Sequence, residues 1–120
     1  MRLLFVCVGN TCRSQMAEAL ARHFGHEAAS AGTHPGSSVA ENSLTVLEEM
    51  GVSTSGLRPK SVDDIETEGW DMIISMGCGV ECPMLPISED WGLEDPVGLP
   101  IDVYRSTRDT IIENLQRLSA

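Results

Sequence analysis

Residues 7–14 read Cys-Val-Gly-Asn-Thr-Cys-Arg-Ser, after an apolar run and before a helical pattern. The chemistry such a segment can do is attack by a thiolate on a bound oxyanion. Successive backbone N–H groups from Val8 through Gly9, Asn10, Thr11, Cys12, Arg13 and Ser14, at the start of a helix, form a cradle for an anion. Cys7 stands at the mouth of that positive field, which favours its thiolate. Six residues on, the planar fork of Arg13 can close over a tetrahedral ion and hold two of its oxygens. Gly9 lets backbone approach a ligand, Asn10 tolerates a left-handed conformation, and the Ser14 hydroxyl can donate to the sulfur. The plain alternative is a strand-to-helix turn over a buried cysteine. The segment lacks a Gly-Lys-Ser/Thr ending, so it is not a nucleotide P-loop.

Three further cysteines, Cys12, Cys78 and Cys82, complete the set. In a small secreted protein four cysteines suggest two disulfides. This chain shows no export signal and has apolar residue enough for a core (42%), so reduced thiols in a cytoplasmic protein are expected. A structural zinc would want closer pairs than Cys7 and Cys12, which have four intervening residues. The net charge of −10 disfavours nucleic acid and anionic membrane as partners.

The elements that must position these groups follow from apolar periodicity. The sequence predicts strands over Arg2–Val8, Glu27–Ala31 and Asp71–Met76. It predicts a helix over Cys12–Phe24, with Met16, Leu20 and Phe24 on one face beside Ala17 and Ala21. Ser38 with Glu41 reads as a capping box for a helix to Met50, with Leu44 and Leu47 inward; Ser61 with Asp64 opens a short third helix. Residues 77–100 are rich in glycine and proline and read as a long loop of functional length. Asp102–Leu118 reads as a last helix with Val103, Ile111, Leu115 and Leu118 facing the core. Alternation of strand and helix predicts one α/β domain over residues 1–120, three-layered α/β/α with a four-stranded parallel sheet. Ligands of such sheets sit at the carboxyl ends of the strands, which brings the turn after Val6 and the loop after Met76 to one rim.

Residues Val6–Ala19 resemble the active-site loop and first helix of the low-molecular-weight protein tyrosine phosphatase superfamily, which includes thiol-dependent arsenate reductases. The likeness runs on through Ser30-Ala31-Gly32, Trp70–Ile74 and the stretch from Trp91 through Asp95-Pro96 into the last helix. It implies Cys7 as nucleophile, Arg13 and the loop amides as oxyanion binders, and Asp95 as the acid that protonates the leaving oxygen. Met76–Pro83 resembles the redox segment of the reductases. By that likeness Cys78 attacks the Cys7–arsenate adduct and expels arsenite, and Cys82 then takes the disulfide outward, with Gly77 and Gly79 supplying freedom of movement. Three residues separate Cys78 from Cys82, fewer than in some members.

The resemblance therefore implies arsenate reduction, with phosphate or sulfate as analogues of the substrate. The competing enzyme is a phosphotyrosine phosphatase. Its members tend to carry aromatics on the acid loop, where this chain has Val97-Gly98 after Asp95-Pro96. The competing non-enzyme is an oxyanion sensor. No organic cofactor or metal is expected. The reductant is thioredoxin by resemblance, with mycothiol or another low-molecular-weight thiol as the alternative, and the protein is expected to be a monomer. Glu18, Ser30 and Asn10 match a cation site of some relatives, but Val62 stands where a further acid belongs. His23 and His26 read as surface residues suited to the helix dipole. Trp70 and Trp91 read as packing anchors. Arg105 and Arg108 read as partners of Asp102 and Asp109, with Arg108 bracing the acid loop.

Overall fold

A computed structural model describes residues 1–77 and 86–119. The first strand, β1 (Arg2–Cys7), leads into α1 (Arg13–His23) and then β2 (Glu27–Gly32). Next come α2 (Glu41–Glu48), a single 3-10 turn (Val62–Asp64), β3 (Met72–Ser75), β4 (Glu89–Asp90) and α3 (Ile101–Ser119). The sheet has the order β2-β1-β3-β4, and every pairing is parallel. β1 is central, so Leu3 to Val6 lie between two neighbours and are fully buried, as an uninterrupted apolar run requires. Its register sets Cys7 opposite Gly32 and Val6 opposite Ser75, which puts the sulfur at the sheet's carboxyl rim.

Alternate residues of β1 feed two clusters. Leu3, Phe5 and Cys7 pack under α1, α2 and α3, with Met16, Leu20, Val46, Leu47, Ile111 and Leu115. Leu4 and Val6 face Ile73, Val62, Ile65, Trp70 and Ile87, so the opposite layer is supplied by the 3-10 turn and the chain around it. Trp91 packs against Phe5, with ring centroids 5.6 Å apart, and Trp70 lies under the Arg2 guanidinium. Both tryptophans are packing residues.

Four expectations are corrected. β4 falls inside the stretch read as loop; it is two charged residues at the sheet edge, too short for any periodicity to reveal. The Ser38–Glu41 capping box is not formed. Ala40 caps α2, and its N–H is committed to the Thr11 carbonyl (3.0 Å), which ties the helix entrance to the anion loop. Inward positions also shift: Val46 rather than Leu44 joins Leu47, and Tyr104 rather than Val103 leads the buried face of α3. Phe24 lies beyond the end of α1, is exposed, and meets His23 edge-on. Ser61 does cap its turn, accepting from the Asp63 N–H at 3.1 Å.

Candidate active site

β1 ends at Cys7 and α1 begins at Arg13, so five residues make the turn between them. Asn10 takes the bend in the left-handed region (φ 53°), and its own N–H donates to Cys7 Sγ at 3.1 Å. Ser14 Oγ lies 2.9 Å from the same sulfur. The direction of that contact can be read from its neighbours. The Lys60 N–H can only donate, and it reaches Asn10 Oδ1 at 2.9 Å. Asn10 Nδ2 is thereby turned to Ser14 Oγ, to which it donates at 2.7 Å. With Cys7 as thiolate, which can only accept, the Ser14 hydroxyl hydrogen points to its sulfur. Two donors thus converge on the sulfur of a residue that is 3% exposed.

The turn is braced from outside. Thr33 N–H donates to the Cys7 carbonyl, His34 N–H to that of Val8, and Gly36 N–H to that of Gly9. Gly32 must be glycine: a Cβ there would stand 2.5 Å from the Val8 carbonyl oxygen and 3.0 Å from Asn10 Cβ. Gln15, wholly buried, donates through Nε2 to Asn10 O (2.9 Å), Asn10 Oδ1 (3.0 Å) and Arg58 O (2.7 Å).

Arg13 is buried and joins three segments. Its Nη1 donates to Met76 O, just past the end of β3, at 2.7 Å and to Leu93 O at 2.8 Å. Its Nη2 lies 3.8 Å from Asp95 Oδ2. Arg13 itself therefore braces the acid loop. Arg108, expected to do so, instead donates to Val46 O on α2, to Glu49 just past its end and to Asp109. Arg105 pairs with Asp102 as expected and also with Glu49. Gly77 is needed for its left-handed φ of 95° and for close approach, since a Cβ would meet Gly92 and Leu93 backbone at 3.1 Å. Cys78 and Cys82, with Gly79, lie outside the described residues.

Cys12 is buried, and its thiol faces the Tyr104 hydroxyl oxygen at 3.8 Å. Burial first, then this contact and the negative charge at Cys12 and Asp95, push the Tyr104 hydroxyl up to about 12. Of the three residues that match a cation site of some relatives, Ser30 donates to Glu18 and Asn10 Oδ1 accepts from the Lys60 N–H, while what faces Glu18 is the ammonium of Lys60 at 3.4 Å. Among the described residues no group of three or more histidines, cysteines or carboxylates is placed to hold a metal ion, and no helix is long and apolar enough to cross a membrane. Gln15, Lys60 and Tyr104 carry no local sequence signal for the site, and Gly32 is marked only by the Ser30-Ala31-Gly32 likeness. Their relevance comes from contacts between segments far apart in the chain, and only the Ala31-Gly32 turn left a local trace.

A family model described as low molecular weight phosphotyrosine protein phosphatase matches residues 2–120. A glutaredoxin arsenate reductase of Synechocystis is 35% identical, the alignment covering 99% of this chain and 96% of that protein. A solved arsenate reductase in a phosphate-binding state superposes with a TM-score of 0.88 at 34% identity, over 98% of this chain and 95% of that one. A thioredoxin-dependent arsenate reductase of Corynebacterium glutamicum gives 0.75 at 35% identity, over 99% of this chain and 63% of that one.

Proposed function

This chain belongs to the low molecular weight phosphotyrosine protein phosphatase family, and from that premise we propose that it is a reductase converting arsenate to arsenite. The observation that carries the reading is the pair of donors on Cys7 Sγ beside a buried Arg13 that is tied to the Asp95 loop. A phosphatase would share that geometry. Reduction is preferred because full-length relatives at 34–35% identity bear the name arsenate reductase, and because Cys78 and Cys82 give the chain two further thiols.

In this reading the oxyanion rests on the amides of residues 8–14, and the Arg13 hydrogens not used by Met76 and Leu93 hold its oxygens. Cys7 thiolate attacks arsenic, Asp95 gives its proton to the departing oxygen, and water leaves. Cys78 thiolate then attacks the Cys7 sulfur. The S–As bond breaks, its electron pair stays on arsenic, and arsenite departs from a Cys7–Cys78 disulfide. Cys82 attacks Cys78 and frees Cys7 as thiolate. The Cys78–Cys82 disulfide takes two electrons from an external dithiol. We assign residues 1–120 to one reductase domain working as a monomer in the cytoplasm, without organic cofactor or metal, and thioredoxin as the reductant. The glutaredoxin in one relative's name supports a second reading, in which a low-molecular-weight thiol feeds the cycle.

Incubating the reduced protein with arsenate and mapping its disulfides by mass spectrometry tests the proposal. A Cys78–Cys82 bridge is expected. Turnover of para-nitrophenyl phosphate that survives Cys78→Ala with Cys82→Ala, with no arsenate-dependent thiol oxidation, would return the chain to the phosphatases. Tight arsenite binding without turnover would make it a sensor. Comparing thioredoxin with glutathione plus glutaredoxin, and with mycothiol, as sole electron source decides the reductant.

A further inference from the structure

Glu18 is 1% exposed and has three partners among the described residues. Ser30 Oγ donates to Oε1 at 2.7 Å, Lys60 Nζ reaches the same oxygen at 3.4 Å, and Arg22 Nη1 lies 2.9 Å from Oε2. Arg22 alone could compensate the carboxylate from its half-exposed position one helical turn away. Lys60 is the chain's only lysine, and it is drawn to this carboxylate. A buried ion pair of this kind is weak evidence for stability, so its use must be sought in what else Lys60 holds.

It holds the anion loop. The Lys60 N–H is the donor that orients the Asn10 amide, and its carbonyl accepts from the Gly32 N–H at 2.7 Å. Its Nζ also donates to Arg58 O at 2.9 Å, and Gln15 Nε2 binds Arg58 O and Asn10 together. Among the described residues every partner of that Nε2 is an acceptor, so the Gln15 amide cannot flip, and its Oε1 is left buried with no partner among them. A fully buried oxygen left unpaired indicates that holding Asn10 against residues 58–60 outweighs its cost. From Asn10 the chain of donors runs through Ser14 to the Cys7 sulfur.

We propose that Lys60 is a positioning residue for Cys7. Its ammonium, anchored on Glu18, pins residues 58–60 so that its own N–H fixes the Asn10 amide, and through Ser14 this keeps a hydroxyl hydrogen on the sulfur and the anion cradle in shape. The inference rests on the functional reading only in taking Cys7 as the reacting thiolate.

Two readouts that use no arsenate test it: calorimetric binding of inorganic sulfate, and the pH dependence of Cys7 alkylation by iodoacetamide followed by peptide mapping. Lys60→Met should bind sulfate about tenfold more weakly, with its alkylation midpoint about one unit higher. Lys60→Arg, which keeps a cation on Glu18, should stay within about threefold of the parent. Arg22→Met removes a charge from the same carboxylate without touching Asn10, and should leave both readouts unchanged. Lys60→Met with Glu18→Gln leaves no unpaired buried charge, which guards the fold, and should remain as weak as Lys60→Met. The proposal is overturned if Lys60→Met behaves as the parent, if Arg22→Met weakens both readouts as much, or if the double variant regains parental sulfate binding. A parent protein that binds sulfate but reduces no arsenate would sink the functional reading and leave this one intact.

Discussion

Asn10 has no exposed surface, whereas the Asp95 side chain, 3.8 Å from Arg13, is 56% exposed. Around Asn10 the backbone N–H, the side-chain oxygen and the side-chain nitrogen are all engaged by Cys7, Lys60, Gln15 and Ser14. Around Asp95 the carboxylate has the Val97 N–H two residues on, at 3.1 Å, and the distant Arg13. Pro96 is buried and pins this loop, while Glu94, Asp95 and Val97 to Pro100 are exposed. The contrast separates two tasks. Groups that bind a tetrahedral charge must be rigid before it arrives, because reorganisation at the moment of reaction would weaken them. A proton donor must reach both water and the leaving oxygen, and an exposed loop with one firm anchor lets it do so.

The comparison can be broken most severely at Cys7. Cys7→Ser should lower single-turnover arsenite release by about 10⁴ or more, yet sulfate titration should find the cradle still binding. Arg13→Lys should cost about 10² to 10³ in kcat. Unlike the first change it should also lower Tm, because the Met76 and Leu93 carbonyls lose a donor that held two segments together. Asp95→Asn should lower kcat by about 10², with a change in stability within about 0.5 kcal/mol in urea titration because the side chain is half in solvent. If Asp95→Asn unfolded the protein as readily as Arg13→Lys, the two loops would not differ as described.

Gly32→Ala probes the rigid side alone. A methyl group 2.5 Å from the Val8 oxygen forces the second strand away from the turn. A loss of about 1–3 kcal/mol is expected from urea midpoints, together with weaker sulfate binding. Stability lost with sulfate affinity unchanged would show that the cradle does not depend on its outer wall.

How much of this was legible beforehand depends on the range of the interaction involved. β1 and β3 announce themselves as short apolar runs, and Cys7, Asn10, Arg13 and Ser14 are neighbours in the chain, so their meeting needed only a strand-turn-helix reading. β4 could not be read, because Glu89-Asp90 is defined by pairing with Ile74 and Ser75 and not by its own composition. The false capping box at Ser38 shows a local rule overridden when the Ala40 N–H is taken by Thr11, far away in sequence. Nothing in the sequence near residue 60 points to Glu18 or Asn10, so the part played by Lys60 emerges only from contacts across the fold.

Tyr104 stands where the two regions meet. It opens the buried face of α3 just beyond the acid loop, and its hydroxyl lies 3.8 Å from Cys12 Sγ in the anion loop. Burial is the main cause that raises its ionisation to about 12, with the Cys12 contact second, and the unfolded chain would release the proton near 10. A group whose folded value lies above its unfolded value adds stability that is complete below the lower value. That stability disappears as pH rises through the window to the upper one. The parent protein should therefore lose stability between about pH 10 and 12 more steeply than Tyr104→Phe, as urea midpoints measured across that range would reveal. At neutral pH the two should differ little, since a phenyl ring fills nearly the same volume and the contact removed is long. Equal slopes above pH 10 would mean that the hydroxyl is not sealed between the loops, and that they touch less closely than the Cys12–Tyr104 contact implies.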